Sequence, residues 1–143
     1  MGLALSVAVS ALATGDVPVG AVVLSSDGSV VGEGWNQREA STDVTAHAEV
    51  VALRASCTAL GSWQLAGCTL VATLEPCVMC AGALVQARVS RLVFGAWDDK
   101  AGACGSVWDL VRDRRLNHRV EVYGGIREPE CSELLRSFFS DRR

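Results

Sequence analysis

Apolar positions in this chain fall into two patterns, continuous runs of strand length and sets at helical spacing. Leu3–Ala13 places Leu3, Val7 and Ala11 on one stripe among small residues and predicts a short, mostly buried helix ended by Thr14-Gly15-Asp16. The run Val19–Leu24 and the segment Val30–Trp35 flank the turn signal Ser25-Ser26-Asp27-Gly28, which predicts an antiparallel hairpin. Asn36–Thr45 is polar and reads as a loop. Thr45 is placed to cap a helix beginning near Ala46, running to about Ala59 and stopped by Gly61. Thr69–Thr73 predicts a buried third strand, and Pro76 suits the first turn of a helix reaching about Ala87, since its missing N–H would lack a partner there.

Arg91–Gly95 predicts a fourth strand, Trp97–Gly105 a loop, Val107–Val111 a short helix and Arg119–Tyr123 a fifth strand. A helix between the last two strands favours a parallel crossover. Glu128–Asp141 closes the chain as a helix with Leu134, Leu135, Phe138 and Phe139 at helical spacing. The sum is one α/β domain over residues 1–143, a five-stranded mixed sheet with helices on both faces.

Composition narrows the class. Half the residues are apolar and 20% are charged, as in an ordinary compact protein. No apolar run reaches the ~18–20 residues that cross a bilayer. Net charge is −3, but residues 1–87 sum to −5 and residues 88–143 to +2, so a polyanion would meet the C-terminal third. Only Cys77 and Cys80 among six cysteines share a tight spacing, which argues against a disulfide scaffold and for a reducing cytoplasm. The apolar N-terminus lacks the positive region of a signal peptide, and its fit to a myristoylation pattern is loose enough to be read as helix.

The chemistry concentrates in two pieces. His47-Ala48-Glu49 opens one expected helix, and Pro76-Cys77-Val78-Met79-Cys80 opens another. One imidazole and two thiolates suit Zn2+, and three protein ligands leave a tetrahedral corner open, as catalytic zinc requires. Helix N-termini favour the negative charge of thiolates. Glu49 is placed to move a proton, and the pattern H-x-E…P-C-x-x-C is that of zinc deaminases. Taken singly, C-x-x-C also suits a structural zinc half-site or a redox pair, but the first wants a fourth ligand, for which only His118 or Cys104 stands by, and the second leaves His47 and Glu49 without a task.

Around these pieces the chain resembles the bacterial tRNA-specific adenosine deaminases of the cytidine deaminase-like superfamily. The matching residues are Asp-Val-Pro-Val-Gly-Ala-Val at 16–22, Gly-Trp-Asn at 34–36, Thr-Ala-His-Ala-Glu at 45–49 and Thr-Leu-Glu-Pro-Cys-Val-Met-Cys-Ala-Gly-Ala at 73–83. Val-Phe-Gly-Ala at 93–96, Asn-His-Arg-Val at 117–120 and Leu-Leu-x-x-Phe-Phe at 134–139 extend the match.

The resemblance implies a three-layer α-β-α fold, one zinc per subunit and a homodimer with no membrane contact. The implied reaction is adenosine-to-inosine conversion at the wobble position of a tRNA anticodon stem-loop, chiefly of a tRNA for arginine, in the cytoplasm. It implies that Asn36 and the Ala48 N–H hold the base, that Asp98 meets the ribose, and that Phe138 and Phe139 contact RNA. The alternative is a deaminase of a free nucleobase or nucleoside such as guanine or cytosine, with nearly the same active groups; a zinc-stabilised RNA-binding module would have no use for Glu49. The chain departs from the family pattern in a shorter first helix, Val44 for a proline, Trp97 for a basic residue and Ser140 for an arginine after Phe-Phe.

Overall fold

The computed structural model describes residues 1–143. A helix α1 (Gly2–Ala8) runs into a 3-10 turn (Val9–Thr14), followed by the hairpin β1 (Gly20–Leu24) and β2 (Val30–Trp35). Then come α2 (Arg38–Ser41), α3 (Ala48–Leu60), β3 (Thr69–Leu74), α4 (Val78–Gln86), β4 (Arg91–Ala96), a second 3-10 turn (Leu110–Arg112), β5 (Glu121–Tyr123) and α5 (Glu128–Ser140). The strand order is β2-β1-β3-β4-β5. β1 is antiparallel to β2 and β3, while β3, β4 and β5 are parallel. This is the expected five-stranded mixed sheet, and its last pair is parallel although only a single 3-10 turn lies between the strands.

Alternation along the strands makes two layers of core. Ala21, Ala72 and Phe94 lie in register, as do Val23, Leu70 and Leu92, and they pack with Ala48, Ala52 and Leu53 of α3 and Ala81, Leu84 and Val85 of α4. On the opposite face Val22 and Val71 meet Ala4 of α1, and Gly95 receives Cys131 of α5. A Cβ at Gly34 would come 2.6 Å from the Ala48 carbonyl and 2.7 Å from the Ala52 nitrogen, so β2 lets α3 approach at backbone distance. That approach fixes the residue preceding the helix, His47, against the sheet.

Several expectations are corrected. In the first helix the buried residues are Ala4 and Ala8, each 0% exposed, and Leu3 is 58% exposed, whereas Ala11, in the 3-10 turn that follows, is buried as expected. A Cβ on Gly20 would overlap the Ala4 carbonyl and the Ala8 backbone, so only small side chains fit between helix and strand. Part of Asn36–Thr45 forms α2, whose backbone N–H groups are gathered by a distant carboxylate described below. Thr45 does not cap α3; its hydroxyl donates to Asp43 at 2.7 Å, and His47 holds the N-cap position. Pro76 lies one residue ahead of the α4 N-cap, Cys77. The helix expected over Val107–Val111 is the 3-10 turn Leu110–Arg112, because the Cys104–Asp109 segment bridges back on itself first.

Topology then decides where chemistry can occur. The C-terminal ends of β2, β3 and β4 and the N-terminal end of β1 share one edge of the sheet. His47, Cys77 and Asp98 all follow those strand ends, and such an edge is where open α/β sheets bind ligands.

Candidate active site

His47 and Cys77 are the N-caps of α3 and α4, both with extended backbone, and Cys80 sits one turn into α4. Their donor atoms lie within 4.8 Å of one another. His47 Nδ1 is 3.7 Å from Cys77 Sγ and 3.6 Å from Cys80 Sγ. A tetrahedral zinc with Zn–S of about 2.3 Å and Zn–N of about 2.05 Å requires N···S separations of about 3.6 Å. The donor set therefore fits zinc in both kind and spacing. No fourth His, Cys, Asp or Glu joins the cluster. His118 instead bonds the Val89 carbonyl at 2.6 Å, and the buried Cys104 thiol reaches the Pro76 carbonyl at 3.8 Å.

The charges respond to this crowding. A hydrogen bond from Cys80 holds the Cys77 thiol down at about 4, helped by His47 and opposed by burial. The same bond, with burial, pushes Cys80 up. His47 is raised chiefly by its bond to Cys77. Glu49, in the first turn of α3, is 4% exposed, and burial raises its carboxyl. A carboxyl lifted in this way is suited to receive a proton and hand it on.

His47, Glu49 and Cys77 line a cleft of about 190 Å³, with Cys80 buried behind them. Asn36, Ala48 and Asp98 line it as well, so the structure brings together the base-edge, backbone and ribose positions that the resemblance implied. The Asn36 amide donates to the Val17 carbonyl at 3.2 Å and accepts the Arg38 N–H at 3.2 Å, which fixes its plane. Asp98 Oδ1 accepts the N–H groups of Lys100 and Ala101 at 3.0 and 3.1 Å and so stiffens its own turn. The Phe pair is divided. Phe139 is 49% exposed and lines a second, larger groove, whereas Phe138 is 6% exposed and has Arg142 3.7 Å above its ring. Phe138 is thus the buried member of the pair and Phe139 the exposed one.

Sequence reasoning missed two buried carboxylates that hold the walls. Glu75 Oε1 accepts the N–H groups of Cys104 and Ser106 at 3.1 and 3.0 Å, and Oε2 accepts that of Asp98 at 2.9 Å. A Cβ at Gly102 would overlap this carboxylate, so the 97–106 loop can wrap it only with glycine there. Asp16 accepts the N–H groups of Glu39 and Ala40 at 2.7 and 3.1 Å and fastens α2, which presents Arg38 to the cleft. The available signal was an acid just before a proline-containing, otherwise apolar stretch: Asp16-Val17-Pro18 and Glu75-Pro76.

Residues 1–96 match the model of the cytidine and deoxycytidylate deaminase zinc-binding region. Over 143 residues the chain is 46% identical to the tRNA-specific adenosine deaminase of Haemophilus influenzae, covering all of this chain and 83% of that protein. The chain belongs to the tRNA-specific adenosine deaminase family. A solved structure from work on A-to-I editing by tRNA:A34 deaminases at the wobble position superposes with a TM-score of 0.90 at 44% identity, over 94% of this chain and 97% of that one. A guanine deaminase from Nitrosomonas europaea superposes with a TM-score of 0.81 at 27% identity, over 97% of this chain and 82% of that one. The fold is thus the cytidine deaminase-like one anticipated from the sequence, and the family's ion is zinc. No helix is long and apolar enough to cross a membrane.

Proposed function

We propose that this chain, acting as one domain over residues 1–143, hydrolyses adenosine to inosine and ammonia at the wobble position of a tRNA anticodon, chiefly that of a tRNA for arginine. The observation that carries the reading is the convergence of His47, Cys77 and Cys80 beside the buried Glu49. Their cleft shares Val17, Leu74 and Asp98 with a groove of about 990 Å³. A free base needs only the cleft; a polynucleotide also uses the groove.

In this reading His47, Cys77 and Cys80 hold one zinc per subunit. Zinc, when bound, supplies Lewis acidity that makes water a competent nucleophile near neutral pH. Glu49 accepts the proton of the attacking water, gives it to the ring nitrogen beside C6, and then transfers the second proton to the departing amine. The C6–N bond breaks, ammonia leaves and the carbonyl of inosine remains. Asn36 and the Ala48 N–H, the latter at a helix start with no intrahelical partner, orient the base edge. Asp98 meets the ribose, and Phe139 contacts RNA beyond it while Phe138 backs it. The base is unpaired in the anticodon loop, so extracting it costs little.

The same reading includes a homodimer working in the cytoplasm. Support for a second copy comes from Val78, immediately after Cys77, and Val44, just before the His47 segment, which are 48% and 74% exposed. The test compares inosine formation in an anticodon stem-loop with ammonia release from free guanine, cytosine and adenosine. Turnover of the stem-loop is expected; turnover of free bases alone would assign the chain to the nucleobase deaminases.

A further inference from the structure

We propose that Trp97 is a stacking platform for the base adjoining the edited adenosine, an inference that rests on the RNA-editing reading above. Trp97 is 44% exposed, yet it is not a loose surface side chain. Its ring meets Phe94 edge-on with centroids 4.8 Å apart. A Cβ at Gly124 would stand 2.8 Å from the indole, and one at Gly105 would stand 3.3 Å from it. Glycines at both positions therefore let the backbone close around the ring's buried side. The loop that carries it is tied to Glu75 through the neighbouring Asp98 N–H at 2.9 Å. The indole is thus fixed before any ligand arrives, which lowers the entropy cost of using it.

Its free surface lines the large groove together with Lys100, Arg136, Phe139, Arg142 and Arg143. Lys100 and Arg143 enter no ion pair, so their charge is available to phosphates. Asp99 and Asp98 also line the groove, but Asp98 Oδ1 is turned onto the N–H groups of its own loop. Cations tracking a backbone beside aromatic faces form the recognition pattern of single-stranded nucleic acid. Trp97 directly precedes Asp98, which borders both cavities, so the indole lies one residue from the reaction cleft. A base next to the target in the strand is the ligand that this position fits.

The test uses the full chain with its zinc, as wild type, Trp97→Phe and Trp97→Leu. Substrates are an anticodon stem-loop and two derivatives with one abasic ribose, at the 5′ or the 3′ neighbour of the target adenosine. On the intact loop Trp97→Leu is expected to raise KM about 5- to 100-fold, with kcat little changed, while Trp97→Phe stays within about threefold. On one of the two abasic loops wild type and Trp97→Leu should become equal, which also names the neighbour that is stacked. An equal penalty on every substrate, no change in KM, or an altered sedimentation of Trp97→Leu that marks the residue as a subunit contact would overturn the proposal. If wild-type enzyme forms no inosine in any loop, the editing reading itself fails, which is a different result.

Discussion

The Glu75 carboxylate receives the backbone N–H of Asp98 at 2.9 Å, joining the segment that carries Cys77 to the loop on the other wall of the cleft. Its second oxygen takes the N–H groups of Cys104 and Ser106. One acidic side chain thus sets the distance between the Cys77 segment and the Asp98 wall of the cleft. Glu75→Gln replaces one acceptor oxygen with an amide donor facing an N–H group. It should lower stability by about 1–3 kcal/mol. Stem-loop deamination should also fall, with KM raised more than metal content is reduced. Urea unfolding and zinc analysis check both parts; a variant as stable and active as wild type would show that the loop holds itself.

Asp16 plays the matching role for α2. Burial works to raise its carboxyl, but the donated bonds from Glu39, Thr14 and Ala40, with the charge of Arg38, outweigh it and hold the group below its ordinary 3.8. A folded-state pKa below the unfolded one means that the contribution is complete above pH 3.8 and drains away as pH falls through the lower folded value. Asp16→Asn should therefore lower the thermal midpoint at pH 7 by about 3–8 °C. The gap from wild type should be as wide at pH 5 and should narrow near pH 3. Melting curves at the three pH values test this, and a gap that widens in acid would contradict it.

Metal removal bears on the fold as well as on the chemistry. His47 and Cys77 are helix caps without side-chain capping bonds, so a zinc ion held by them and Cys80 would tie the starts of α3 and α4 together. Cys77→Ala should lose zinc, and chelation of wild type should lower its melting temperature, because binding to a folded site is folding free energy. Zinc binding should release a proton from Cys80, whose thiol is pushed up by Cys77 and by burial. Unchanged zinc content in Cys77→Ala would discard this ligand set.

The strand runs, the hairpin turn and the two helix-opening motifs were legible in the chain because each is a local pattern. The packing of α1 was not. Pattern reading puts the largest apolar residues inward, but Gly20 permits so close an approach that Ala4 and Ala8 are buried and Leu3 is left outside. Thr45 looked like a cap because only spacing was visible, while its hydroxyl is spent on Asp43. Glu75 and Asp16 leave little pattern in the chain, since apart from the Thr14 hydroxyl on Asp16 their partners are backbone N–H groups 23 to 31 residues away. His47, Glu49, Cys77 and Cys80 were found because their chemistry constrains residue type as well as spacing.

The account turns on Glu49 as the proton carrier beside a three-donor zinc site. The direct measurement is zinc content and inosine formation in an anticodon stem-loop for Glu49→Ala against wild type. Zinc near one ion per chain in both proteins is expected, with the variant's kcat lower by about 10²–10⁴. A variant that retains its zinc and edits within tenfold of wild type would contradict it.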